Sequence, residues 1–278
     1  MNRLFNIEWI KIYNYKTTRV FTLIYFAMLV VFGLILSVIK PEIGGVKLDI
    51  AKLGFFNFPE IWQNIGYGVS ILKIFIAVII ITNMTNEYSN GTLKQNLIDG
   101  LSKKEFLGSK IMTNFLLASL SSVFVLGICL VLGFVFSTSE ASFWEGSGYL
   151  LAYFLKLNLF FSICLFLAIL LKKSAFAFLG LILLWVVETV VSTVEVLLRA
   201  YFGKGLGQID PDTFYLSNYL PLNASSNLIA FPVNFEGMIT GGSLFVLKDI
   251  NLSMVVAAVI YILIFSYLSY RLLAKRDL

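Results

Sequence analysis

"NEYSNGTLKQNLIDGLSKKEFLGSK" occupies Asn86–Lys110, a polar stretch set between two long apolar runs. Its residues spell out two helices and a turn. Asp99-Gly100 ends the first, because Gly100 can take the left-handed conformation that closes a helix C-terminus. Ser102-Lys103-Lys104-Glu105 opens the second as a capping box, in which hydroxyl and carboxylate satisfy backbone donors that a new helix leaves free. The turn is therefore expected near Gly100–Leu101. The first helix continues the preceding apolar run past a break at Asn90-Gly91. The second passes through Phe106 and Lys110 into the following run. Leu93, Leu97, Ile98 and Leu101 give this unit an apolar ridge rimmed by Lys94 and Lys103. Such a unit docks something on that ridge, or it merely links two runs.

The runs set the fold class. Of 278 residues, 59% are hydrophobic, and the mean hydropathy is +0.88. A soluble domain does not need that much apolar surface. About 20 apolar residues cross a hydrocarbon core about 30 Å thick as a helix. Six such runs are present, approximately Val20–Ile39, Ile65–Asn83, Ile111–Phe136, Leu150–Leu171, Ala175–Leu198 and Ser253–Leu273. They are continuous rather than alternating, which argues against barrel strands. The first run is long and lacks a small-residue cleavage pattern, so it is expected to stay in the membrane. The expected fold is an all-α polytopic membrane protein. Cys129 and Cys164 lie inside spans, which argues against a structural disulfide. The chain has no histidine, which argues against a metal site.

Basic residues set the orientation. With the N-terminus inside, six spans leave both termini cytoplasmic. Arg3, Lys11, Lys16, Arg19, the lysines of 94–110, Lys172, Lys173, Arg271, Lys275 and Arg276 then lie inside. Lys40, Lys47, Lys52, Arg199, Lys204 and Lys248 lie on longer outer segments. That is the positive-inside bias. The net charge of +5 is accordingly directed at membrane lipids. No soluble basic face exists for nucleic acid.

The chain divides as one transmembrane domain over 1–278. Residues 1–19 form an amphipathic segment in which Phe5, Trp9 and Ile12 share a helical face and Lys11 points away, an expected interfacial helix that also carries Glu8. Spans 1–3 occupy 20–136, with the polar loop at 84–110. Spans 4–5 occupy 150–198, joined by a tight hairpin at Lys172–Ser174. In the first outer loop Phe55, Phe56, Phe58 and Trp62 are expected in a membrane-surface belt, with Pro59 starting a short helix. The outer segment 200–252 contains "DTFYLSNYLPLNASSNLIAF", apolar enough to dip into the interface and too interrupted to span. It would cap the bundle, line an exit or contact a partner. The last span and tail fill 253–278. Gly127 and Gly133, with Ser119, Ser121 and Ser122, are expected to let helices pack closely.

Four charged residues fall within spans: Lys73, Lys156, Glu188 and Glu195. Lys73, Lys156 and Glu188 all lie roughly 10–15 Å below the outer boundary at 1.5 Å per residue. Glu188, Glu195 and Arg199 share one face of the fifth span. Such charges are costly and are usually paired or face water. They form a polar seam where anionic or zwitterionic substrate groups pause, or a buried Lys–Glu pair that holds helices in register. The second reading is the favoured one.

The Glu87–Lys110 stretch also resembles the first cytoplasmic loop of type-2 ABC exporter permeases, the membrane subunits of ATP-binding-cassette exporters. Glu87, Gly91, Thr92, Leu97, Ser102, Lys103 and Lys110 stand where that pattern puts them. The common proline before the serine is absent, with Leu101 in that neighbourhood. Glu8-Trp9-Ile10-Lys11 resembles the family's elbow helix, and the six-span layout extends the likeness over nearly the whole chain. The resemblance implies a coupling helix around Asn86–Leu101, with Leu93 on its ridge, docking on a separate ATPase. It implies two ATPase subunits per complex and a second permease subunit, as homodimer or heterodimer, in the bacterial inner membrane. This chain has no G-x-x-x-x-G-K-[ST] loop, so ATP and Mg belong to the partner; no cofactor and no catalytic residue is expected here. Two other classes stay open. One is an ion- or proton-coupled carrier using Lys73, Lys156 and Glu188, against which stand the lack of histidine and of an inverted repeat. The other is a non-transporting anchor relaying ATPase motion outward through 200–252.

Overall fold

Six helices long and apolar enough to cross a membrane form the body of the computed structural model. It describes residues 14–39, 42–43, 46–47, 50–51, 53–139, 141–202, 215–234 and 243–276. The expected elbow residues Phe5, Glu8, Trp9 and Lys11 lie outside the described residues. Helix α1 is Lys16–Val38. Helices α2 (Ile61–Val69) and α3 (Lys73–Ser89) form one rod through a 3₁₀ turn at Ser70–Leu72. Then come α4 (Thr92–Ile98), α5 (Lys103–Phe136), α6 (Gly148–Leu171) and α7 (Ser174–Phe202). A 3₁₀ turn at Leu216–Tyr219 leads into the short α8 (Pro221–Asn227), and α9 is Leu252–Ala274. The β features among the described residues are a two-residue antiparallel pairing, Glu42–Ile43 (β1) with Val46–Lys47 (β2), and an isolated antiparallel bridge between Val233 and Phe245.

Helix α6 is the hub. It packs against α9, α3, α5 and α7, and 61% of its apolar window is buried. Tyr153, Leu157, Phe161, Cys164 and Ala168 along it are fully buried. Helix α7 is the opposite case, with only 11% of its window buried; its apolar surface is turned away from the bundle. A helix that is apolar all round is a buried one or a membrane span, and the two helices illustrate both fates. The α6–α7 hairpin is as tight as "KKS" implies, with Lys172 in the left-handed region at φ 60°.

Two expectations about packing need correction. Phe56, Phe58 and Trp62 are 0%, 4% and 1% exposed, so they form an inward plug and not a surface belt. The reason is that the α5 end and the following loop close over them. Phe56 meets the Phe136 ring at 5.4 Å, Phe58 meets Phe134 at 5.8 Å, and the Trp62 Nε1–H donates to the Phe143 carbonyl at 3.0 Å. Of the two glycines expected to allow close approach, Gly133 does so, since a Cβ there would collide with the Phe58 ring. Gly127 faces open space instead. Cys129 and Cys164 are buried and free.

Candidate functional site

The 87–110 loop is built as its local chemistry dictates. Helix α3 runs to Ser89, and Gly91 at φ 67° redirects the chain into α4. Gly100 at φ 92° ends that helix. Ser102 then caps α5: its Oγ accepts from the Glu105 N–H at 3.2 Å, while the Glu105 carboxylate accepts from the Ser102 N–H at 2.9 Å. Beneath this surface lies a buried polar knot. Lys110 Nζ on α5 meets Glu87 Oε1 on α3 at 2.9 Å, the two residues being 3% and 1% exposed. Thr92 Oγ1 donates to the other carboxylate oxygen at 2.5 Å, and Asn83 Oδ1 stands 3.5 Å from the lysine. One carboxylate thus joins the end of α3, the start of α4 and the first turns of α5.

The ridge expected on α4 is divided by the fold. Leu93 is only 2% exposed and belongs to the core, and Leu97 and Leu101 pack partly against it. Ile98 is 75% exposed. The outward face of α4 is therefore Lys94, Gln95, Ile98 and Asp99. The apolar side of α4 is consumed by the core, with Leu93 buried in it and Leu97 and Leu101 packed against it. Lys103 turns away from this face and donates to the Ala274 and Arg276 carbonyls at 3.2 and 2.7 Å. Arg276 in turn donates to Tyr88 Oη at 3.2 Å, to the Leu170 carbonyl at 3.0 Å, and to the Ile169 carbonyl. These contacts staple the chain's tail to the α3 end and the α6–α7 turn. Nothing local in the sequence marks them.

The other end of the bundle carries the four charges expected within spans. The favoured Lys–Glu pair does not form: among the described residues, neither Lys73 nor Lys156 is within ion-pair distance of Glu188. Both carboxylates are instead spent on backbone. The Glu188 oxygens accept from the Leu222 and Asn223 N–H groups at 3.0 and 2.8 Å, at the N-terminus of α8. Glu195 accepts from the Leu216 and Ser217 N–H groups at 2.9 and 2.8 Å, at the start of the 3₁₀ turn, and from Arg199 at 3.0 Å. At the far end of α8, Lys156 Nζ donates to the Ser226 carbonyl at 3.2 Å, and Ser225 Oγ donates back to the Lys156 carbonyl at 3.1 Å. An acid at its N-terminus and a base at its C-terminus match the dipole of α8. The described part of the segment that was expected to dip into the interface packs against α6, α7 and α9, with Leu222, Ala224 and Ser225 buried. Lys73 stays apart from this clamp, its ammonium 4.6 Å from the centroid of the Phe160 ring.

Both clusters tie neighbouring helices together through buried polar contacts. A family model described as ABC-2 family transporter protein matches residues 4–192. The match takes in the 87–110 loop and Lys73, Lys156 and Glu188, and stops short of Glu195 and the α8 segment. No curated protein matches the chain.

Proposed function

Since the chain belongs to the ABC-2 family of transporter proteins, we propose that it is the permease subunit of an ATP-driven exporter, moved by a separate ATPase docked on α4. Membership makes it a multi-pass membrane transport component, not itself catalytic. The observation that carries the proposal is the construction of the loop. Helix α4 is held between two spanning rods by the Glu87–Thr92–Lys110 knot, with Lys94, Gln95, Ile98 and Asp99 left outward. Helices are stiff, and a force on that face reaches α3 and α5 together, as a switch between two access states requires. ATP and Mg reside in the partner.

In this reading the loop end is cytoplasmic, in agreement with the basic residues gathered there, and the membrane is the bacterial inner membrane. Two such permease chains, identical or different, stand over two ATPases, and transport runs outward. Three of the intramembrane charges hold the path's walls together, Lys156 and Glu188 through α8 and Glu195 through the 3₁₀ turn before it.

Affinity purification in mild detergent tests the docking. The chain is expected to bring down a nucleotide-binding protein, and Ile98→Asp is expected to lower that yield at least tenfold with its thermal unfolding unchanged. Purification with no ATPase, or undiminished capture by Ile98→Asp, would sink the reading. Ser102→Cys, at an exposed site, is expected to react with an impermeant maleimide only after the cells are opened.

A further inference from the structure

Between α2–α3, α6, α7 and α8 lies a cavity of about 550 Å³ whose walls are apolar except for a few groups. Such a volume is within the range of about 300–1,000 Å³ typical of small-ligand sites. Lys73 and Lys156 both line it, and no acidic residue does. The buried acid of the neighbouring α7, Glu188, is committed to the N-terminus of α8. Lys156 has given one donor to Ser226 and keeps others, since an ammonium has three. Lys73 makes no hydrogen bond among the described residues and rests on the face of Phe160. Phe160 follows Lys156 by one helical turn on α6, so both ammonium groups are brought to the same stretch of wall. Two like charges in an apolar cavity are costly without a counter-charge.

The mouth of the cavity says where the counter-charge comes from. Ile71, Ile74, Ile182 and Trp185 line it and are 71%, 59%, 61% and 60% exposed. They open it sideways through the apolar surface of the bundle, into the hydrocarbon that such a surface requires. We infer that the cavity binds one anionic lipid of the surrounding bilayer, its phosphate between Lys73 and Lys156 and one acyl chain along Ile71, Ile182 and Trp185. The inference does not depend on the ATPase, and its test uses the chain alone without nucleotide.

The purified chain is equilibrated in micelles holding equal phosphatidylglycerol and phosphatidylcholine, and retained lipid is counted by native mass spectrometry. One phosphatidylglycerol per chain is expected, favoured at least tenfold over phosphatidylcholine. Lys73→Gln is expected to remove about tenfold of that preference, and Lys73→Arg to restore it. Ile182→Trp, a change at an exposed position, is expected to crowd the mouth and reduce retention independently of charge. Equal retention of the two lipids, or full preference in Lys73→Gln, overturns the site. Displacement of the lipid by millimolar inorganic phosphate also overturns it, because the acyl chain would then contribute nothing.

Discussion

The two ends of the bundle solve one problem in opposite ways. At the loop end a buried acid and a buried base meet directly, Glu87 and Lys110 at 2.9 Å. At the other end a buried acid and a buried base of the same types never meet. Glu188 and Lys156 address the two termini of α8 instead. The difference follows from what each end has to hold. Near the loop, two rods that already satisfy their own backbones need only be fixed to each other, and a side-chain pair does that. At the other end a short helix sits among spans, and its free backbone groups find no water there. Irregular backbone at such depth is tolerated only where protein supplies the partners. Charge on charge registers helices; charge on backbone admits a segment that does not span.

Breaking the loop-end pair is the severest test. Glu87→Ala leaves Lys110 charged and buried, at a cost of about 3–5 kcal/mol. Thermal unfolding in detergent should show it as a large fall in midpoint, with reduced yield. Glu87→Leu with Lys110→Met removes both charges and is expected to recover most of the loss, because an apolar pair of similar volume is often neutral in such a place. If the double variant is as unstable as the single one, the pair is not what joins α3 to α5.

A smaller loss is expected at the other end. Glu188→Ala strands the buried Leu222 N–H, at about 1–3 kcal/mol, and the half-buried Asn223 N–H, at less, while Glu188→Gln keeps an acceptor and is expected to lose less. The sharper measurement is the coupling between Glu188 and Lys156 in a double-mutant cycle. Their backbone partners, Leu222 and Asn223 for the acid and Ser226 for the base, lie three to four residues apart, about 6 Å at 1.5 Å per residue. No partner is shared, so a coupling near the low end of the roughly 0.5–3 kcal/mol range for neighbours is expected. A coupling as large as that of Glu87 with Lys110 would mean that the two ends work alike after all.

The same contrast explains what could be read beforehand. The six spans were legible because hydropathy is local, and the Ser102–Glu105 cap because it is written in a three-residue interval. Gly91 and Gly100 announced their breaks for the same reason. Glu87 and Lys110 could be singled out by position, but their contact joins two helices that the chain separates. Glu188 was harder still. Its partners are backbone N–H groups of Leu222 and Asn223, and a backbone group has no identity in a sequence. The one hint was Pro221, well suited to a helix's first position, downstream of a span with unpaired-looking acids. Leu93 failed as a docking residue on other grounds. A helix as short as α4 does not dictate which of its sides faces out, and the bundle took the more apolar one.

The cap offers a milder probe of the loop end. Ser102→Ala removes the acceptor for the Glu105 N–H at an exposed site and is expected to cost about 1 kcal/mol. It should fray the start of α5 while leaving the Glu87–Lys110 contact in place. Hydrogen exchange confined to 102–106 would show that; exchange spreading to Lys110 would show that cap and ion pair are one unit.

The smallest effect isolates the two uses of charge within one side chain. Glu195 accepts at once from the Arg199 guanidinium and from the Leu216 and Ser217 N–H groups. The Arg199 partner is 39% exposed and one turn away on the same helix, a geometry worth about 0.3–0.5 kcal/mol. Of the two backbone donors, Leu216 is exposed and can turn to water, but Ser217, at 4% exposed, has no such freedom. Arg199→Ala is therefore expected to move the unfolding midpoint barely, and Glu195→Ala clearly more. Equal effects from the two would place the value of Glu195 in its salt bridge. The rule drawn from Glu188, that acids at this end serve the backbone, would then hold for one residue and not for the segment.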